Sequence, residues 1–282
     1  MSIRAKRILS VVVLAVAVAA ILTAPLHAEA AGKVKVFILA GQSNMQGAGK
    51  IAADPNRNEG KGSLEYLVKD PKTAARFKHT VDKDGKWVVR KDVSIWYLDR
   101  KGGLSVGYGA RSETIGPEFQ FGHVMGDCLD EPVLLIKTAG GGKDLAVDSR
   151  PPSSGKITFP MGKGLTEKIK KDPGAAGKYY RDMLGHVRDV LKDLKTNFPE
   201  LAGREVEIVG FGWHQGWNDG CNAEMVKEYE VNLANFIRDV CKELGVPNLP
   251  FVIANSGSGG WENKQDRRLG IMNAQLAVAK YK

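Results

Sequence analysis

The stretch VFILAGQSNMQG, from Val36 to Gly47, runs from an apolar segment directly into a polar turn. The apolar half has the composition of a buried strand, and the turn carries Ser43 near its tip. Two interpretations fit this pattern. Ser43 is a nucleophile held at the end of a strand, or Ser43 and Asn44 form an ordinary tight turn and bond only to the local backbone.

Apolar strand-like runs alternate with helix-like stretches along the rest of the chain. The predicted strands are Lys35–Ala40, Val93–Leu98, Val133–Thr138, Val206–Gly212 and Phe251–Asn255. The predicted helices are Pro117–Leu129, Ala175–Asn197, Ala223–Leu244 and Asp266–Tyr281. Because parallel strands need covered crossovers, the alternation predicts an α/β fold, a three-layer α/β/α sandwich with a mostly parallel sheet. Two stretches rich in Lys, Gly, Pro and Asp, Ile51–Asp92 and Asp144–Asp172, are expected to be surface insertions in one domain over residues 32–282.

Residues 1–31 have the three-part pattern of a secretory signal peptide. Arg4, Lys6 and Arg7 precede the apolar stretch Val11–Leu22, and Ala28-Glu29-Ala30 follows as a small-x-small cleavage site. The apolar stretch is short for a membrane span. The protein is therefore expected to be secreted or periplasmic, with no membrane contact after cleavage; an uncleaved N-terminal anchor is the alternative.

The composition, 43% apolar and 26% charged in 282 residues, is typical of a globular protein. Removing residues 1–31 takes away three basic residues and one acidic residue, so the formal charge falls from +9 to +7. The remaining Lys and Arg are scattered among Asp and Glu, which argues against a nucleic-acid site. The cysteines, Cys128, Cys221 and Cys241, form neither a zinc pattern nor a disulfide framework, and at most Cys221 and Cys241 pair. No cofactor or metal is expected.

Small, polar and aromatic residues follow four of the predicted strands. These segments are Gly41–Asn44, Ala139–Lys143, Trp213–Gly220 and Ser256–Trp261. Ligands bind outside the carboxyl ends of strands in open α/β sheets, so the segments predict a shared pocket. The Gly-rich turn Ala139–Lys143 does not match a phosphate loop, because the spacing differs and Asp144 stands where Ser or Thr belongs. The serine elbow G-x-S-x-G fails too, since Met45 replaces the second Gly.

Four ordered motifs carry a resemblance to a known family. They are Gly41-Gln42-Ser43-Asn44-Met45, Ile115-Gly116-Pro117-Glu118-Phe119, Ile136-Lys137-Thr138-Ala139-Gly140-Gly141-Gly142 and Trp213-His214-Gln215-Gly216. Together they resemble the SGNH hydrolases, and more narrowly the branch of sialate O-acetylesterases and acetylxylan esterases. The resemblance spans residues 33 to about 280 and implies an SGNH, flavodoxin-like fold.

The resemblance also implies site residues and a substrate. Ser43 would attack an ester carbonyl, and the oxyanion would be bound by the backbone N–H groups of Ser43 and Gly116 and by the side-chain amide of Gln215. The residues expected to contact the substrate, an acetylated carbohydrate, are Gln42, Asn44, Gly141, Gly142 and Trp217. Trp213 is expected in the core.

The general base is where the sequence departs from the family pattern. The family takes this base from a D-x-x-H-like segment near the C-terminus, and no histidine follows His214 in these 282 residues. His214 itself is interpreted as structural. The chain as given is therefore expected to lack the catalytic His and to turn over slowly. Two other functions stay open, a noncatalytic carbohydrate-binding protein on the same fold and an SGNH acyltransferase.

Overall fold

The structure is a computed structural model that describes residues 32–255 and 259–281. The predicted signal peptide, residues 1–31, and the residues Ser256, Gly257 and Ser258 lie outside the described residues. From Lys33 onward the chain forms one compact unit. In the described part of the chain, no helix is both long enough and apolar enough to cross a membrane.

A central sheet organises the described residues. The strands are β1 (Lys33–Gly41), β2 (Gly49–Lys50), β3 (Val93–Tyr97), β4 (Arg100–Gly103), β5 (Thr114–Ile115), β6 (Val133–Ala139), β7 (Glu205–His214) and β8 (Phe251–Ile253). The sheet has the order β4-β3-β6-β1-β7-β8, and β2 pairs separately with β5. Every pairing in the sheet is parallel except that of β4 with β3. In the flavodoxin order the first two parallel strands of the chain are neighbours. Here the first two parallel strands are β1 and β3, and β6 lies between them.

Helices cover both faces of this sheet. They are α1 (Ser43–Gln46), α2 (Leu64–Lys69), α3 (Ala74–Phe77), α4 (Pro117–Cys128), α5 (Lys163–Lys171), α6 (Lys178–Lys192), α7 (Leu194–Asn197), α8 (Ala223–Leu244) and α9 (Asp266–Val278). The α8 bounds agree with the prediction because both ends carry strong signals: the Asn222 side chain accepts the Glu224 N–H, and Gly245 ends the helix at φ 69°. The predicted helix Ala175–Asn197 is instead two helices, separated at the non-helical Asp193.

The side-chain alternation of β1 supplies both halves of the core. Val34, Val36, Ile38 and Ala40 are fully buried against α6, α8 and α9 on one face. Leu39 packs on the opposite face with residues of β3 and β6 and with Met45 of α1. Residues i and i+2 of a strand share a face, so a central strand covered on both sides reads as one continuous apolar run. The three-layer α/β/α class is confirmed.

The second predicted insertion is wrong at its start. Leu145, Ala146, Val147, Ser149 and Arg150 are buried, not exposed. Val147 and Ala146 pack with Phe159 and Met225, which forms a small separate core cluster. Asp144 initiates this segment, because its Oδ1 accepts the N–H groups of Val147 at 2.7 Å and Asp148 at 2.9 Å. The polar composition of the stretch conceals this local turn.

Candidate active site

Ser43 is exposed at the first position of α1, directly beyond β1. The end of β1 approaches β7 so closely that Gly41 is required there. Gly41 has φ 148°, and a Cβ at this position would lie 2.2 Å from the His214 carbonyl oxygen. Any larger residue would therefore separate β1 from β7 at the point where the serine emerges. In α1 the Gln46 N–H bonds to the Gln42 carbonyl, which leaves the N–H groups of Ser43, Asn44 and Met45 without acceptors inside the helix. Ser43 thus lies at the end of the helix where backbone N–H donors have no partner within the helix.

The buried Gln42 carboxamide fixes this turn to the loop after β7. Its Oε1 accepts three hydrogen bonds: from Gln215 Nε2 at 3.1 Å, from the Gly216 N–H at 3.1 Å and from the Asn218 N–H at 3.3 Å. The Gln42 backbone N–H donates to the His214 carbonyl at 3.0 Å. Gln42 was predicted to bind substrate, but only 2% of it is exposed. In this structure its polar groups hold the turn instead.

The Gln215 side chain lies beneath the serine turn and is almost fully buried. Its amide nitrogen donates to Gln42 Oε1, to the Lys143 carbonyl at 3.1 Å and to Asp219 Oδ2 at 2.6 Å, and its Oε1 accepts from the Tyr229 hydroxyl. An amide has two N–H donors, so three protein acceptors already occupy both. Oxyanion binding by Gln215 stays a prediction, and it requires this network to rearrange.

Sequence reasoning missed Asp219, whose carboxylate is fully buried behind Gln215. Besides the Gln215 amide, it accepts the Ala146 N–H at 3.0 Å and the Leu145 N–H at 2.9 Å. Burial, and then the charge of Asp144, raises the pKa of Asp219 to about 7. Asp219 therefore joins the loop after β7 to the segment that follows the Gly-rich turn. The sequence signal was available as a lone acidic residue in the Trp213–Gly220 stretch, but nothing there identifies its partners.

A second buried network holds the other side of α1. Lys137 Nζ donates to Glu118 Oε2 at 2.5 Å, to the Gln46 carbonyl at 2.7 Å and to the Tyr108 carbonyl at 2.7 Å. The other carboxylate oxygen, Glu118 Oε1, accepts the Gly116 N–H at 2.7 Å. Burial raises the pKa of Glu118 and lowers that of Lys137 to about 8. The Gly116 N–H, predicted to bind the oxyanion, is thus already bonded, and its proposed role requires release from Glu118.

The remaining predicted substrate contacts line the same edge of the sheet. Asn44, Gly141 and Gly142 are exposed, and the Asn218 amide donates to the Gly142 carbonyl. Trp217 is exposed in the loop after β7, whereas Trp213 is buried against Phe236, as expected for a core residue. Gly141 cannot carry a side chain without crowding α1, since a Cβ there would lie 2.9 Å from Gln46 Oε1. The three motif loops therefore converge around Ser43.

The described histidines are placed in two environments. His214 is half-buried at the end of β7, where burial lowers its pKa. His79 and His123 pack edge to face, and His186 packs on Trp96. These three side chains therefore take part in packing between elements of the fold. Within residues 32–255 and 259–281, no group of three His, Cys, Asp or Glu side chains could hold a metal ion. All three cysteines are free, including Cys221 and Cys241.

Comparison with known proteins identifies the family. The model of the carbohydrate esterase, sialic acid-specific acetylesterase family matches residues 33–281. The chain belongs to this family. No curated protein matches it by sequence.

Two solved structures share the fold. A protein from Arabidopsis thaliana is 17% identical, with a TM-score of 0.52 over 86% of this chain and 81% of that protein. NanS is 11% identical, also with a TM-score of 0.52, over 88% of this chain and 75% of NanS. At these low sequence identities the likeness shows a shared fold and nothing more. It agrees with the mostly parallel sheet and its two helix layers. The resemblance seen in the four sequence motifs is confirmed at the level of the family.

Proposed function

We propose that this carbohydrate acetylesterase family member is a serine O-acetylesterase that removes acetyl groups from sugars, with Ser43 as nucleophile. The observation that carries the proposal is the placement of Ser43: it is exposed at the first turn of α1, while the residue before it is locked by three hydrogen bonds. An accessible serine in a turn held by hydrogen bonds, at the start of a helix whose first N–H groups have no acceptor within the helix, suits acyl transfer.

The chemistry proceeds through an acetyl-enzyme. The Ser43 oxygen forms a bond to the acetyl carbonyl carbon, its proton passes to a solvent water at this exposed position, and the carbonyl oxygen becomes an oxyanion facing the Ser43 N–H. Collapse of the tetrahedral intermediate breaks the bond to the sugar oxygen, which takes that proton back from the water and leaves as a hydroxyl. Water then hydrolyses the acetyl-serine to acetate and free Ser43. Gly116 and Gln215 are proposed to add donors as their present bonds to Glu118 and Asp219 exchange.

Covalent labelling tests the nucleophile. A fluorophosphonate probe should label the wild-type protein, slowly because no general base is identified beside Ser43, and fail to label Ser43→Ala, because the label forms on the Ser43 oxygen. Ser112→Ala is the matched control, since Ser112 is also exposed but lies in the loop before β5. Labelling that persists in Ser43→Ala, at another residue, would refute the assignment.

A noncatalytic carbohydrate-binding function is the second candidate, and one observation favours it. Two of the three predicted oxyanion donors, the Gly116 N–H and the Gln215 amide, are bonded inside the protein. Hydrolysis of 4-nitrophenyl acetate above the rate of Ser43→Ala would support the esterase. Sugar binding without labelling or hydrolysis would support the binding protein.

A further inference from the structure

One exposed indole in the loop after β7 is held by a buried cation. The Trp217 side chain has 50% of its surface exposed, and the Arg268 guanidinium carbon lies 3.6 Å from the centroid of its ring. Arg268 comes from α9, so the contact joins two separate elements. Because the guanidinium covers one face of the indole, the exposed half of the side chain is the opposite face and the edge.

The Arg268 side chain is built into the protein. Only 8% of it is exposed, and its guanidinium donates to the Trp217 carbonyl at 2.5 Å and to Cys221 Sγ at 3.3 Å. Gly220 makes room for it, since a Cβ at that position would lie 2.8 Å from Arg268 Nη1. Across residues 32–255 and 259–281, no carboxylate forms an ion pair with Arg268. A buried guanidinium without a carboxylate partner is costly, and its strongest contacts are with Trp217.

The indole is also fixed relative to Ser43. Trp217 lies between Gly216 and Asn218, whose N–H groups both donate to Gln42 Oε1. Gln42 in turn directly precedes Ser43. One carboxamide thus ties the aromatic surface to the nucleophile turn, and the Asn218 side chain adds a bond to the Gly142 carbonyl.

We propose that the Trp217 indole, backed by Arg268, is a stacking platform for a pyranose ring of the carbohydrate substrate. This inference rests on the proposed function and adds the residue, Arg268, that holds the platform. One face of a pyranose presents several C–H groups, and a flat indole buries them over a large area with few rotatable bonds to restrict. Arg268 keeps the free indole face in place, which reduces the conformational entropy lost when sugar binds. The loop that carries Trp217 is bonded to Gln42, so a sugar ring bound there lies at the same edge of the sheet as Ser43.

Direct binding tests the platform without requiring turnover. Isothermal titration of the full chain with N-acetylneuraminic acid in one arm and xylotriose in the other determines which pyranose source the site accepts. For the sugar that binds, Trp217→Leu should weaken binding about tenfold, because it removes the flat surface but keeps an apolar side chain. Trp217→Phe, which keeps a flat ring, should retain most of the affinity. Arg268→Met should weaken binding as well, although Met touches no sugar.

The matched control is Tyr281→Leu, which should bind sugar as the wild type does, since Tyr281 is a similarly exposed aromatic side chain, 53%, but lies after α9 and outside the strand-end segments. Binding of neither sugar by the wild-type chain, or equal affinity in the wild type and in Trp217→Leu, would overturn the platform. Equal losses in Trp217→Phe and Trp217→Leu would also overturn it, because stacking predicts a difference between them. The two proposals can also fail separately. If the sugar binds the wild type and Trp217→Phe more tightly than Trp217→Leu, but fluorophosphonate does not label the chain, the esterase is rejected and the platform is kept.

Discussion

Gln42 Oε1 accepts hydrogen bonds from three donors of the loop after β7, and Gln42 lies one residue before the proposed nucleophile. The residue that presents Ser43 is therefore held by groups more than 170 positions away in the sequence. A carboxamide suits this position because its oxygen accepts several N–H groups without a buried charge. The Gln42 side chain therefore sets the geometry of the turn that presents Ser43.

Gln42→Ala should lower both stability and activity. The substitution leaves buried donors without acceptors, which costs about 1–3 kcal/mol of unfolding free energy. Turnover of 4-nitrophenyl acetate should fall because the Ser43 turn is no longer fixed. Urea unfolding and steady-state kinetics measure the two effects. The adjacent Asn44→Ala is the control: Asn44 is exposed, so its free energy of unfolding should change by less than about 0.5 kcal/mol.

Asp219 should give the protein a specific dependence of stability on pH. Burial raises its pKa to about 7 from 3.8. Between these two pH values the folded protein binds the proton and the unfolded chain does not, so this group makes the unfolding free energy fall as pH rises. Urea unfolding at pH 4 to 7 should therefore show the wild type losing stability relative to Asp219→Asn as pH increases. A constant difference between the two proteins would contradict the raised pKa.

At the scale of the elements, the buried strands were the easiest to predict. β1 and β6 are covered on both faces, so their apolar runs mark them to within a few residues. β4 was missed because this edge strand, Arg100–Gly103, has the sequence RKGG and no apolar pattern. The α6–α7 break at Asp193 was missed for the opposite reason, since the apolar periodicity continues across it to Leu194.

The convergence of the motif residues was predictable from the sequence, but their contacts were predictable only in part. Strand ends and motifs brought Ser43, Gly116 and Gln215 to one edge of the sheet. They did not show that Glu118 takes the Gly116 N–H, or that Asp219 takes the Gln215 amide. Asp219 bonds to Leu145, 74 residues away, and no local pattern encodes that pairing. Hydrogen bonds between distant loops depend on the folded geometry, which sequence periodicity does not contain.

The Glu118–Lys137 pair couples α4 to β6, and breaking it should be costly. Lys137→Met leaves a buried carboxylate without its cation, and losing one partner of a buried pair costs about 3–5 kcal/mol. Urea unfolding measures the loss. The double variant Glu118→Gln, Lys137→Met removes both charges, so it should be more stable than Lys137→Met alone. A double variant with the summed loss of the two single variants would show that the two groups do not interact.

On the scale of the whole molecule, β1 is the first strand in the chain and an inner strand of the sheet. It lies between β6 and β7, carries residues of both core clusters and leads directly to Ser43. Its first fully buried side chain is Val34. Any cleavage that keeps the fold therefore has to occur before Val34, because removing Val34 or later residues would damage the central strand.

We propose a processing site that meets this constraint. Cleavage after Ala30, one residue before the end of the predicted signal peptide, would leave Ala31 and Gly32 ahead of β1. The whole strand would be kept, and the chain would lose the basic residues of its N-terminal segment. We expect mass spectrometry of exported protein to show an N-terminus near Ala31. Ala30→Leu should block processing because the cleavage site requires a small residue there, while Glu29→Gln, at the position between the two small residues, should be cleaved normally. An intact N-terminus in the membrane fraction of the wild type would favour the uncleaved anchor, and β1 would then follow a retained apolar segment.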